Sequence, residues 1–462
     1  MSGSADKREP FANLPTRLTP MEQLHLLRDS DEYPNAILAR LILEGEINRQ
    51  LFEQALQFVA SRHEMFNARL ADDGKSWQLR TADEPATVIR WFETEYNPDQ
   101  HRIKTIRLST GPACQCDIFM SDNRVNLLMQ MHHAQVDGLG AIQGIREILQ
   151  AYHNLCNKQP IDSGLRRLDP KLFPRRGRIG LFQKGWWKRV PLQWIPIFGA
   201  SKFAFAKISH LIPNWKIDSP QEPAEYFPTL CHRRLEPETF QQLRAGDRSS
   251  NDRLLASLYL AVDRFQGEIN QSRGKQKIRI VVPISVRERE DLRSTICNHV
   301  ALIQLDRGEK DFADPEGLVW GINYELGIVS KYKFEKSFAI ALRLMSSLPP
   351  FFRWRMKRRT IRTTTVLTNL GNPFRNMKLP KSGNQFIVGD MKLIGVDLIP
   401  PIYELTPAVF LFSTYAGVPR ITMNFDQRVI SRQQAERLMD IYIEEIQRMA
   451  DNLSSWKNLN AH

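Results

Sequence analysis

The sequence predicts a large α/β protein made of two units, and three observations lead to this expectation. The chain has 462 residues, of which 42% are hydrophobic and 25% are charged, as in ordinary globular proteins. That length corresponds to two or three domains. Strand-like and helix-like periodicities occur on both sides of a basic, proline-containing stretch. We therefore expect an N-terminal unit over 1–160, a linker or lid over 161–221 and a C-terminal unit over 222–462.

The run HHAQVDG at residues 132–138 is the most informative part of the N-terminal unit. Residues 125–131 alternate as a strand and residues 140–149 have helical spacing, so the run lies on the turn between a strand and a helix. A turn of this kind can aim a ring at a substrate. His25 and Asp29 have the same His-x-x-x-Asp spacing. They lie in a segment predicted to be an ordinary helix, so we assign that pair no function.

Three residues of the run have both a structural and a functional interpretation. Asp137 is typical of a helix N-cap, because the predicted helix follows at once. His132 is typical of a packed imidazole in the core. His133 is the functional candidate, because a neutral imidazole with a pKa near ~6.5 can accept a proton at neutral pH.

HHAQVDG resembles the HHxxxDG motif of the acyltransferase superfamily. That superfamily includes peptide-synthetase condensation domains, wax ester synthase/diacylglycerol acyltransferases, polyketide-associated acyltransferases and alcohol acetyltransferases. Other parts of the chain also resemble it: the opening LTPMEQ, LEGEI and SRHE segments, SND at 250–252, PISVR at 283–287, NHV at 298–300 and ITMNFD at 421–426.

The resemblance implies two chloramphenicol-acetyltransferase-like subdomains with mixed sheets and an active-site tunnel between them. His133 is then the general base. Asp137 turns away from the substrate and pairs with Arg287, for which the alternative is a surface arginine. His132 and Asn298 support the site. Backbone N–H groups near Gly138 are candidates to bind an oxyanion, because a residue without Cβ lets a ligand approach the main chain closely.

The resemblance also bears on the substrates. Thr368, Asn369 and Gly371 resemble a loop beside the tunnel in wax ester synthases, although these residues also fit a plain turn. We expect an acyl thioester donor, on coenzyme A or on an acidic carrier protein, no tightly bound cofactor and no metal. The expected acceptor is the hydroxyl of a hydrophobic or lipid-like molecule. The alternatives are amide formation by a condensation-type enzyme and an inactive binding module of the same fold.

The plant-type DFGWG motif of the superfamily is absent from the sequence, which disfavours that branch. One fold of this kind fills 462 residues, so we expect a stand-alone enzyme rather than a synthetase module.

The cysteines indicate a reducing compartment. There are five, none in CxxC spacing, which predicts neither a disulfide framework nor a zinc site. Cys114 and Cys116 are rival nucleophiles for covalent catalysis, but buried cysteines are usually inert. The first residues lack an apolar leader, and no apolar run reaches the ~18 to 20 residues that span a bilayer. We expect a cytoplasmic protein.

A basic aromatic segment occupies residues 166–216, with twelve lysines and arginines and a single acid. Such a segment suits the surface of an anionic membrane, with Trp186, Trp187 and Trp194 at the interface and the protein peripheral to the inner face. The alternative is a solvated linker with its aromatic rings in the core. Nucleic-acid binding is disfavoured, because no recognisable nucleic-acid module accompanies the charge.

Overall fold

The computed structural model describes residues 13–72, 77–82, 87–98, 106–177, 206–212, 229–245, 248–269, 274–332, 342–343, 345–347, 354 and 363–459. Up to residue 177 its regular elements are β1 (Thr16–Arg17), α1 (Pro20–Leu27), β2 (Ala36–Glu44), α2 (Arg49–Arg62), β3 (Ala68–Asp72), β4 (Trp77–Thr81), β5 (Thr87–Phe92), β6 (Cys114–Ser121), β7 (Arg124–His132) and α3 (Gly138–Cys156), with short 3-10 helices at Glu64–Phe66 and Pro170–Arg175.

The later elements begin at residue 229. They are β8 (Thr229–Arg234), α4 (Pro237–Arg244), α5 (Ser250–Glu268), β9 (Ile278–Ser285), a 3-10 helix at Glu290–Arg293, β10 (Val300–Arg307), α6 (Glu309–Phe312), α7 (Pro315–Tyr332), β11 (Thr365–Gly371), β12 (Lys381–Ser382), β13 (Gln385–Val388), β14 (Met391–Ile399), β15 (Ala408–Tyr415), β16 (Val418–Phe425) and α8 (Arg432–Leu459).

Two large mixed sheets organise the described residues. The first has seven strands in the order β12-β13-β14-β2-β7-β6-β5, and the second has six in the order β10-β9-β11-β15-β16-β8. A small third sheet has the order β1-β4-β3. Both large sheets combine parallel and antiparallel pairs. The predicted α/β class with two mixed sheets is confirmed.

Each large sheet has its own hydrophobic core because helices cover one of its faces. In α3 the apolar residues recur at helical spacing, so that Ile142, Ile145 and Leu149 pack together with the interior of the seven-stranded sheet. In α5 a similar stripe packs with the six-stranded sheet and with α8. The strand β7, which the alternation predicted, is buried on both faces, so that its polar residues Asn126 and Gln130 also lie in the interior.

The seven-stranded sheet combines strands from both ends of the sequence. The segment β12–β14 belongs to the C-terminal part of the sequence, yet β14 pairs antiparallel with β2 and extends the seven-stranded sheet. Phe386, Val388 and Leu393 are buried in the N-terminal core. The physical reason is that the edge of β2 would otherwise expose unpaired backbone N–H and C=O groups, which β14 pairs.

Candidate active site

The HHAQVDG run lies where the sequence predicts it, between the end of β7 at His132 and the start of α3 at Gly138. Two hydrogen bonds attach the backbone of His133 to distant parts of the chain. Its N–H donates to the carbonyl of Asn35 at 2.8 Å, and its carbonyl accepts from Nδ2 of Asn298 at 2.8 Å. The turn is therefore held from both sheets, since Asn35 precedes β2 and Asn298 precedes β10.

His132 points into the protein and is fully buried. Its Nδ1 accepts a hydrogen bond from the N–H of Ala134 at 3.0 Å, and its Nε2 lies 3.2 Å from Oδ2 of Asp29. Because Nδ1 accepts, Nε2 carries the proton and faces the carboxylate. This arrangement matches the structural interpretation of His132.

Asp137 has both of the roles that the sequence left open. As N-cap of α3 it accepts from the N–H of Gly140 at 2.8 Å. Its Oδ2 accepts from Nη1 of Arg287 at 2.6 Å and from the N–H of His299 at 2.7 Å. Burial opposes ionisation, but these partners lower the pKa of Asp137 below its ordinary value. The structure thus places Arg287 against Asp137, the partner that the resemblance implied, and Nη2 of Arg287 also donates to the carbonyl of Cys297 at 2.8 Å.

The packing requires a glycine at position 140 more than at position 138. A Cβ on Gly138 would lie 3.6 Å from Leu370, which is ordinary contact. On Gly140 it would lie 3.0 Å from the carbonyl oxygen of Cys297 and 3.4 Å from Nη2 of Arg287. Gly140 therefore lets α3 approach the segment that carries the ion pair. This requirement was not predicted from the sequence, although Gly140 is the first glycine after the run.

A cavity of about 1160 Å³ lies between the two large sheets. Its lining is mostly aliphatic and comes from β2, α3, β9, β10, β11, β14 and β15, together with residues of α1. His133, Asp137, Gly138 and Arg287 line it, as do the loop candidates Thr368, Asn369 and Gly371. The expected space between two sheet-based halves, with the motif at its wall, is confirmed.

The ring of His133 stacks on the ring of His25, with centroids 3.9 Å apart and planes 12° from parallel. Nδ1 of His133 is buried without a hydrogen-bond partner in the described part of the chain. Burial lowers the pKa of His133 to about 4, against the opposing effects of backbone carbonyl groups and Asp137. The imidazole is therefore neutral at physiological pH.

His25 is the site residue that the sequence analysis set aside. It lies on α1, lines the cavity and accepts from Nδ2 of Asn35 at Nδ1, at 3.2 Å. Burial, and then His133, lower its pKa well below the ordinary value, so its ring is also neutral. One feature of the sequence could have pointed to His25, namely that His25 and Asp29 have the same spacing as the histidine and aspartate of the motif. In the structure His25 contacts His133, and Asp29 contacts His132.

Other predicted residues are not brought to the site. Cys114 and Cys116 are fully buried on β6 and do not line the cavity, and the neighbouring Cys114 and burial raise the pKa of Cys116. Trp186, Trp187 and Trp194 lie outside the described residues. Within the described ranges there is no cluster of three or more His, Cys, Asp or Glu side chains suited to a metal. No helix in those ranges combines the length and apolar composition needed to cross a bilayer.

Comparison with known proteins relates the part of the chain that contains the motif to one domain family. Residues 22–166 match the condensation domain family model. The chain is 31% identical over 143 residues to nonribosomal peptide synthetase 1 of Aspergillus fumigatus and 30% identical over 158 residues to one of the plipastatin synthase subunits of Bacillus subtilis. These matches cover 28% and 32% of this chain and only 2% and 6% of the relatives, so the chain spans a small part of the synthetases that it matches.

The similarity in structure extends over nearly the whole chain. The first condensation domain of the calcium-dependent antibiotic synthetase, solved with a substrate analogue, has a TM-score of 0.69 at 13% identity, covering 95% of this chain and 97% of that one. The epimerization domain from the third module of tyrocidine synthetase B has a TM-score of 0.67 at 15% identity, covering 96% and 98%. A starter condensation domain of rhizomide synthetase, in complex with C8-CoA, has a TM-score of 0.67 at 12% identity, covering 94% of each chain.

These findings confirm the resemblance to the HHxxxDG acyltransferase superfamily and the fold that it implies. They do not support every expectation about substrates. Neither the family model nor the proteins named above favours a hydroxyl acceptor, a lipid-like substrate or a membrane surface.

Proposed function

We propose that this chain transfers an acyl group from a thioester to an amine and forms an amide, with His133 as the general base. The observation that carries the proposal is the position of the His133 ring. It lines the cavity between the sheets on a turn that the Asp137–Arg287 ion pair holds. The match of residues 22–166 to condensation domains supports the amine as acceptor.

His133 performs the proton transfers in this reaction. The nitrogen of a neutral amine attacks the thioester carbonyl, and the imidazole accepts a proton from that nitrogen as the C–N bond forms. The tetrahedral intermediate then collapses, the C–S bond breaks, and the imidazolium returns the proton to the departing thiolate. Because Nδ1 is buried, Nε2 is the nitrogen that we assign to these steps. The products are the amide and the free thiol.

The first turn of α3 is suited to the charge on the intermediate. Gly138 and Leu139 are the first two residues of the helix, where backbone N–H groups have no carbonyl of the preceding turn to bind. Both line the cavity. The positive end of the helix dipole favours a negative oxygen there, and one well-placed donor typically contributes about 3 kcal/mol.

The thioester donor is either a coenzyme A ester or an acyl group on a carrier protein. Both readings agree with the relatives, since one related starter condensation domain was solved with C8-CoA and the curated relatives are peptide synthetases. The mostly aliphatic lining of the cavity favours an apolar acyl chain.

The test is mass spectrometry of the products formed from a panel of acyl-CoAs with amines and with alcohols. We expect amides from the wild type, and a loss of about 10²- to 10⁴-fold in rate for His133→Ala. Arg49→Gln is the control, because Arg49 pairs with Glu93 on the surface and does not line the cavity. Esters without amides would contradict the acceptor, and thiol release at the wild-type rate by His133→Ala would contradict the base. No transfer with any pair would favour the binding module.

A further inference from the structure

Two arginines line the cavity within the described residues, Arg28 and Arg287. Arg287 is engaged by Asp137. The guanidinium of Arg28 has neither a carboxylate within 4.0 Å nor a hydrogen-bond acceptor among the described residues, and it lies against the ring of Tyr403, with Cζ 5.5 Å from the ring centroid. Burial lowers the pKa of Arg28, and Tyr403 alone opposes that change.

Four acidic residues also line the cavity, Asp29, Asp31, Glu32 and Glu404, and none of them forms an ion pair with Arg28 at 4.0 Å or less. Asp29 faces His132, and Asp31 pairs with Arg107. None of the four is among the charges that shift the pKa of Arg28. The cavity therefore holds one cation whose charge no described carboxylate balances.

Such a cation is unusual in a mostly aliphatic cavity. A guanidinium stays protonated at all physiological pH values, and Arg28 is half-buried, so its charge gains from a partner that replaces the water it has lost. Its parallel N–H groups match the two oxygens of a carboxylate. We infer that Arg28 binds a carboxylate carried by one of the substrates, whose apolar remainder occupies the aliphatic part of the cavity. This inference rests on the proposed function, because it assigns one end of the same cavity.

The location of Arg28 relates this site to the chemistry. Arg28 is the C-cap of α1, and His25 lies three residues earlier on the same helix. Residues at that spacing are neighbours on one face. Because His25 stacks on His133, the carboxylate would bind about one helical turn from the stacked pair, on the order of 10 Å from the base. A carboxylate held there orients its substrate relative to His133.

A binding experiment tests the site without requiring catalysis. Octanoate and octanamide have the same apolar chain and differ in charge, so calorimetric titration of each into the wild type isolates the contribution of the anion. We expect octanoate to bind on the order of tenfold or more tightly than octanamide. Arg28→Gln should remove this preference, Arg28→Lys should retain part of it, and the surface variant Arg49→Gln should leave it unchanged.

The outcomes that overturn the inference are specific. They are equal affinity of the wild type for the two probes, no binding of octanoate, or an undiminished preference in Arg28→Gln. If Arg28→Gln does not fold, the wild-type comparison and Arg28→Lys still decide the question. Because no turnover is measured, failure here is distinguishable from failure of the proposed amide synthesis.

Two activity arms then identify which substrate carries the carboxylate. In the acceptor arm, octanoyl-CoA is offered leucine or leucinamide. In the donor arm, leucinamide is offered glutaryl-CoA or pentanoyl-CoA. The arm in which kcat/KM favours the carboxylate, and in which Arg28→Gln removes that preference, identifies the substrate. A carboxylate preference in neither arm overturns the assignment to a substrate.

Discussion

The Asp137–Arg287 pair provides the sharpest test of how the motif turn is held. Removing the carboxylate in Asp137→Ala leaves Arg287 as a buried, uncompensated charge, and breaking such a pair typically costs about 3 to 5 kcal/mol. The N–H groups of Gly140 and His299 also lose their acceptor. Arg287→Ala leaves the buried Asp137 carboxylate without its counter-charge, so we expect a loss of the same order, about 3 to 5 kcal/mol, towards the lower end because Gly140 and His299 still donate to it.

Urea unfolding of the two single variants and the double variant measures the coupling. The double variant removes both charges, so its loss of unfolding free energy should be smaller than the sum of the single losses by about 0.5 to 3 kcal/mol. Asp137→Asn is the refined probe, because its amide oxygen can still cap α3 while Arg287 stays unbalanced. Strictly additive losses would refute the reasoning, as would an Asp137→Asn variant as stable as the wild type.

Three further predictions concern the same turn. His132→Ala should retain measurable transfer activity but lower the melting temperature, because His132 is a buried packing residue. His133→Ala should instead abolish transfer without unfolding the protein. If the two variants changed activity and melting temperature equally, the assignment of one structural and one catalytic histidine would be wrong. An NMR titration of the His133 ring should have its midpoint near pH 4 rather than near ~6.5, because burial lowers the pKa of His133 to about 4 and the ring gains its proton only as pH falls through that value; a midpoint near pH 6.5 would contradict a base that is neutral throughout the physiological range. Gly140→Ala should destabilise the protein by about 1 to 3 kcal/mol in thermal melts, whereas the matched Gly138→Ala should change little, because only the Cβ at 140 meets a carbonyl oxygen at 3.0 Å.

Local signals were sufficient for the motif turn. The alternation before residue 132 and the helical spacing after Gly138 correctly predicted β7 and α3. Both patterns are local, because side chains alternate between the two faces of a strand and recur at helical spacing along one face of a helix. Asp137 was interpretable as a cap for the same reason. Its second role depended on Arg287, 150 residues away, and was reached by resemblance to a family rather than from the residues.

The stacking of His25 on His133 could not be derived from the sequence. The strands β2 to β7 and the helix α2 lie between the two residues along the chain, and the spacing of His25 to Asp29 recurs in ordinary helices. Only the packing of α1 against the motif turn brings the two ring centroids within 3.9 Å. The position of Arg28 in the cavity depends on the same packing event, since it follows His25 by one turn of the helix.

The amino-acid sequence by itself determined the α/β class, the strand-turn-helix around residues 132–138 and the identity of the groups that could do acid-base chemistry, because these depend on residue type and short-range periodicity. Tertiary structure alone decided that β14 completes the N-terminal sheet, that a cavity of about 1160 Å³ forms between the sheets, and that His25 and Arg28 face it. Those features arise where apolar faces and strand edges from distant segments cover one another, and the free energy of such contacts depends on the whole fold rather than on any one segment.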